Sequence, residues 1–182
     1  MDYTAFSHGQ ILSKNWLLDH IEYYLYDKIN IIILGGWYNV LGFMLFTKFG
    51  HKINHITNLD IDKNAIEIAN KITEAYVMKG KVTNVCANSN TLNNYDYDLV
   101  INCSPEHMNS DDWFTQIKPN KLVCLQSSNV TITEMPWNCI NPNYSLIYFQ
   151  NHYPLQQVLY SSKLEIKYSD NGYERYMLIG VS

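Results

Sequence analysis

The segment Asn102-Cys103-Ser104-Pro105-Glu106-His107 sets an amide, a carboxylate and an imidazole side by side, directly after an apolar run. An imidazole with a reference pKa of about 6.5 can take a proton from a nucleophile near neutral pH. Glu106 beside it can orient the ring or bind a substrate cation, and Asn102 stands where reacting atoms would lie. The plainer alternative is that Glu106 and His107 only support their loop. Other stretches carry ligand-holding chemistry. Gly35-Gly36 lets backbone approach a ligand, because no Cβ stands in the way. Asp60 closes an apolar stretch with a carboxylate that can accept hydrogens from both hydroxyls of a ribose. Asn88 and Ser89 can hydrogen-bond the edge of a base. Each has a structural counterpart: a strand-to-helix turn for the glycines, a turn or capping acid for Asp60. Asp62 is the better cap of the helix that follows, which leaves Asp60 for a ligand.

These residues are spaced as the ends of successive strands. Ile29–Leu34 is a β-branched run of the kind buried on both faces of a sheet, stopped by Gly35-Gly36. Strands are expected also at 55–60, 82–86, 97–102 and 122–125. Between them, 40–49 and 63–78 have helical length or spacing, and Ser110-Asp111-Asp112 supplies caps ahead of a short helix over 113–117. A further helix covers 10–26. Strands alternating with helices imply βαβ units and a mainly parallel sheet. The chain then changes rhythm. Two strands, 159–166 and 173–181, flank Asp170-Asn171-Gly172, a type I′ hairpin signal. The expected fold is α/β: a Rossmann-like, seven-stranded, mostly parallel sheet with helices on both faces and a C-terminal antiparallel hairpin. Residues 1–182 form one domain in this reading, with 1–27 as a helical segment over the site.

The composition sets limits on function. The chain has 182 residues, 47% hydrophobic and 16% charged, which suits one folded domain with its own core. A formal charge of −4 gives no electrostatic footprint for nucleic acid, so a nucleic-acid substrate is not favoured. The cysteines Cys86, Cys103, Cys124 and Cys139 are scattered without metal-ligand spacing, so no metal is expected and reduced, mostly buried thiols in a cytoplasmic protein are. Residues 1–13 lack the features of a signal peptide, and no apolar run is long enough to span a bilayer. Heavy use of Asn, Ile, Lys and Tyr is a compositional mark of AT-rich genomes, many phages among them.

Ile32-Ile33-Leu34-Gly35-Gly36-Trp37-Tyr38-Asn39-Val40-Leu41-Gly42 resembles the first motif of class I S-adenosylmethionine-dependent methyltransferases. Asn58-Leu59-Asp60-Ile61-Asp62 resembles their acidic second-strand motif, and Asp98 to Pro105 their fourth-strand motif, where substrate meets the methyl group. The resemblance runs from the first strand to the terminal hairpin. It implies S-adenosylmethionine as cofactor, held by Gly35, Gly36, Trp37, Tyr38, Asp60, Ile61, Asn88, Ser89 and Asn102. It further implies methyl transfer to a small molecule or a compact nucleobase or peptide group, with Asn102, Glu106 and His107 at the chemistry. The family's acid before the first glycine is absent here, and the glycine spacing departs from G-x-G-x-G. The family's N-terminal segment often folds over the pocket, which makes His8, Gln10 and Lys14 candidates for substrate contact. Ser104, Gln126 and Arg175 join them, although a structural ion pair is the commoner role for a strand arginine. Two other functions stay open: binding or cleavage of the cofactor without methylation, and NAD-dependent oxidation, which shares the glycine turn and the strand-two acid. The terminal hairpin and the segment 102–107 fit NAD enzymes poorly. No pattern specifies an oligomeric state or a membrane partner.

Overall fold

β1 (Ile29–Leu34) runs through the middle of the sheet, and its successive side chains point to opposite faces. Ile31 and Ile33 enter one apolar layer, Ile32 and Leu34 the other. Burial on both sides explains the unbroken β-branched run. In a computed structural model of the chain, residues 1–91, 96–130, 139–168 and 172–182 are described.

The remaining strands are β2 (Ile53–Asp60), β3 (Val82–Cys86), β4 (Leu99–Asn102), β5 (Leu122–Ser128), β6 (Gln157–Lys167) and β7 (Gly172–Val181). Their order across the sheet is β3-β2-β1-β4-β5-β7-β6. The first five run parallel, and β7 lies antiparallel between β5 and β6. The chain leaves β1 for β2 on one side and later returns to β4 on the other. That reversal opens a crevice beyond the carboxyl ends of the parallel strands, where ligands bind in sheets of this type.

Helices cover both faces. α1 (His8–Ile21) and α2 (Val40–Phe49) send Leu17, Ile21, Leu45 and Phe49 into the layer shared with Ile31 and Ile33. On the opposite face, α5 (Asp112–Thr115) and α6 (Leu146–His152) contribute Trp113 and Phe149, against Ile32 and Leu34. The helix expected over 63–78 is two pieces, α3 (Lys63–Ile72) and α4 (Glu74–Val77). Thr73 breaks it: its hydroxyl donates to the Ala69 carbonyl at 2.7 Å and accepts from the Asn84 amide of β3 at 3.0 Å. The fifth strand runs to Ser128, beyond the expected end at 125, because β7 pairs with it along its whole length. α6 has no counterpart in the sequence reading, although Ser145 caps it by accepting from the Tyr148 N–H. Asp170 and Asn171 of the expected hairpin turn lie outside the described residues. Among the described residues no helix is long and apolar enough to cross a membrane.

Candidate functional site

A cavity of about 1050 Å³ opens over the carboxyl ends of β1, β2, β3 and β4. The loop after β1 shapes its floor. Gly35 has φ +59° and Trp37 φ +51°, a left-handed conformation that side-chain-bearing residues adopt at a cost of about 1–3 kcal/mol. The turn points the Trp37 N–H at the Asp60 carboxylate, 2.7 Å away. The other Asp60 oxygen accepts from the Asp62 N–H at 3.0 Å, while Asp62 caps α3 through the Asn64 N–H. Asp60 is thereby fixed at the end of β2 with lone pairs left for a ligand. Burial pushes its carboxyl above the ordinary range, outweighing the backbone hydrogen bonds that pull it down.

Around Asp60, the cavity is lined by Gly35, Gly36, Trp37, Tyr38 and Ile61, with Asn88 and Ser89 from the turn after β3. Trp37 and Tyr38 stack at 4.4 Å between ring centroids, and the Tyr38 hydroxyl accepts from the Asp2 N–H, tying the N-terminus to this loop. Ile61 is exposed, Asn88 half-buried.

The second wall follows β4. Ser104 donates through its hydroxyl to the Gly35 carbonyl at 3.1 Å, joining the two loops. His107 lies exposed on the cavity in a 3₁₀ turn, Pro105–His107. Glu106 also lines the cavity but is 2% exposed, and its carboxylate accepts from the hydroxyls of Ser127 at 3.0 Å and Ser128 at 3.2 Å. Arg175 of β7 stands 3.6 Å from the same carboxylate and donates to the Cys103 carbonyl at 3.1 Å. Glu106 is therefore committed to braces within the wall, and the expected pairing with His107 gives way to this network. Gln10 and Lys14 reach the cavity from α1.

Three expected residues do not line it. Asn102 is fully buried at the end of β4 and folds back on its own loop. Its amide donates to the Met108 sulfur at 3.3 Å and accepts from the Ser104 N–H at 3.0 Å. Gln126 is also fully buried, because α1 lies over it and takes its amide hydrogen at the Ser13 carbonyl, 2.9 Å away. Ser128, two residues on along the same strand face, reaches the cavity instead. His8 falls outside because it lies two residues, about 200° of helix rotation, from Gln10.

Residues that no sequence signal singled out also line the site, notably Tyr173, Tyr168 and Met108. Tyr173 was open to discovery, since strand alternation puts it on the same face as Arg175. Cys103 lies against this wall, and burial raises its thiol pKa to about 11, so it holds its proton.

No protein-family model matches this sequence, and no curated protein matches it. The fold does have solved counterparts. The [4+2]-cyclase SpnF aligns with a TM-score of 0.70 at 11% identity, over 94% of this chain and 82% of that one. An S-adenosylmethionine-dependent methyltransferase from Aquifex aeolicus gives 0.64 at 11% identity, covering 91% and 88%. Coclaurine N-methyltransferase, bound to N-methylheliamine and S-adenosylhomocysteine, gives 0.67 at 11%, covering 93% and 73%. At such identities the likeness establishes the fold, which is that of the Rossmann-like S-adenosylmethionine-dependent methyltransferases.

Proposed function

We propose that this chain binds S-adenosylmethionine over the carboxyl edge of its sheet and catalyses methyl transfer to a small or compact acceptor. One observation carries the reading: the Asp60 carboxylate is held by two backbone N–H groups at the end of β2, with its free lone pairs facing a cavity. That acceptor fits a ribose, whose adjacent hydroxyls need acceptors and find them in one carboxylate. Ile61 offers an apolar surface to a base, and Asn88 and Ser89 offer polar groups to its edge. When bound, the cofactor supplies a methyl group on a sulfonium, ready for in-line displacement.

The protein's own contribution is positioning and proton removal. His107 takes the proton of the incoming nucleophile from the exposed side of the β4 turn. Ser104 fixes the distance between that turn and the glycine loop. Cofactor binding without methylation is a second reading, favoured by Asn102: its amide is spent inside the loop and offers nothing to a target nitrogen.

Calorimetric titration with S-adenosylhomocysteine tests the binding. Asp60→Ala should weaken it about 10- to 100-fold, the value of hydrogen bonds to a charged acceptor. Equal affinity in wild type and variant, or no binding by either, overturns the cofactor assignment. His107→Ala should leave that affinity unchanged while lowering release of S-adenosylhomocysteine from S-adenosylmethionine in the presence of an acceptor panel. Binding without any such release favours the second reading.

A further inference from the structure

Lys14, Leu17, Leu18 and Ile21 recur at the spacing of one helical face on α1. The three apolar residues are buried in the same layer as Met177 and Ile179 of β7. Arg175, two residues before Met177, shares that strand face. Both elements thus carry an apolar stripe into one core, and both stripes turn cationic at the point where the core opens into the cavity. Lys14 and Arg175 line the cavity there.

Among the described residues the wall supplies one carboxylate, Glu106, for these two cations. There the Lys14 ammonium donates to neutral oxygens of its own helix, the Gln10 side chain at 2.5 Å and the Gln10 carbonyl at 3.5 Å. Burial, with the neighbouring Arg175, lowers its pKa to about 8. Arg175 is 7% exposed, and its Nε–H has no partner among the described residues. Its other nitrogens face the Cys103 carbonyl and Glu106, the carboxylate already held by Ser127 and Ser128. Two cations against one carboxylate leave one positive charge without a counter-ion among the described residues, in a largely desolvated wall, an arrangement that is costly unless a ligand completes it.

We propose that Lys14 and Arg175 form an anion-binding pole that takes a carboxylate of the molecule held in this cavity. The strand carrying Arg175 lies four strand spacings from β2, roughly 19 Å in the sheet plane at about 4.8 Å each, and its guanidinium leans back to the end of β4. The pole therefore stands across the β4 edge from the ribose-binding acid. A carboxylate can reach it from two sources: the amino-acid end of the nucleoside cofactor, or an acidic acceptor. The choice between them rests on the proposed function; the pole itself does not.

Lys14→Gln is the test variant, because Lys14 makes no ion pair among the described residues and its loss strands no charged partner there. Arg175→Gln, which would leave Glu106 without its cation, is made together with Glu106→Gln. Wild type and variants are titrated calorimetrically with S-adenosylhomocysteine, with 5′-methylthioadenosine, which lacks the carboxylate, and with glutarate and its neutral diamide. If Lys14→Gln weakens S-adenosylhomocysteine about 10- to 100-fold and spares methylthioadenosine, the pole holds the cofactor's carboxylate. If both nucleosides bind unchanged and glutarate, not the diamide, loses affinity by that factor, it holds an acceptor's. Glutarate binding that depends on Lys14 when neither nucleoside binds keeps the pole and removes the cofactor reading. Identical affinities for every probe across all variants, or no anion binding at all, overturns it.

Discussion

Lys14 gives the site a pH signature that can be worked out residue by residue. Its ammonium is faced by Gln10 on its own helix, by Arg175 of β7 and by Cys103 after β4, while Tyr173 and Glu106 line the same cavity. Arginine does not titrate in this range, burial raises the Tyr173 hydroxyl, and the Cys103 thiol is pushed up to about 11. A break near pH 8 in the binding of a carboxylate therefore belongs to Lys14, whose pKa is lowered to about 8. Above that pH affinity should fall about tenfold per unit until the pKa of the bound form is passed, and Lys14→Gln should flatten the profile. Stability moves the opposite way. The unfolded lysine keeps its proton up to 10.5 while the folded one loses it near 8, so the unfolded chain binds more protons in that window. The unfolding free energy of the ligand-free protein should rise between pH 8 and 10.5 relative to Lys14→Gln, measurable by urea denaturation.

At the scale of elements, the glycine loop shows what the sequence could and could not convey. The strand ends, the β1 turn and the acid after β2 were legible, because β-branched runs punctuated by glycine and a terminal carboxylate leave a periodic trace. The reason for Gly36 was not. An added Cβ there would come within 1.9 Å of the Asn58 Oδ1 and 2.9 Å of an Ile33 methyl, so its small size serves strand packing beneath the loop as much as any ligand. Asn58 is fully buried, and neither atom of its amide has a partner among the described residues. Gly36→Ala should therefore cost about 1–3 kcal/mol, the usual penalty of overfilling a packed site. Asn58→Ala removes an orphaned amide and opens the space required. The double variant should recover most of the loss, with a coupling above ~1 kcal/mol in a denaturation cycle. Additive losses would show that the alanine clashes with something other than Asn58. The same limit explains Asn102, Gln126 and His8. Their types suggested contact with ligand, yet which way a side chain turns is set by what packs beside it: Met108 in its own loop for Asn102, Ser13 far back in the sequence for Gln126, and the turn of α1 itself for His8.

On the scale of the whole molecule, the cavity has no structural element of its own; it is assembled from strand ends, the start of α1 and the terminal hairpin. Tyr168 and Tyr173 stack at 6.4 Å between ring centroids, and their hydroxyls come so close to Gly9 that an added Cβ would meet them at 2.8 and 2.5 Å. The hairpin and α1 thus close one end of the cavity while Asp60 and the glycine loop close the other. A ligand spanning these parts couples first strand, last strand and N-terminal helix, so its binding energy should appear in global unfolding. At one hundred times its dissociation constant a ligand adds about 2.7 kcal/mol. For a chain of this length 1 kcal/mol moves the melting temperature by about 2–4 °C, which predicts a rise of roughly 5–10 °C with S-adenosylhomocysteine. NAD shares the need for a glycine turn and a strand-two acid, but its second nucleotide half would have to cross the wall built by Ser104, Glu106 and Arg175. It should give no shift at concentrations that saturate dinucleotide enzymes. A rise with NAD and none with S-adenosylhomocysteine, followed by calorimetry, would transfer the Asp60 carboxylate to a different ribose and make the fold a host for hydride chemistry instead.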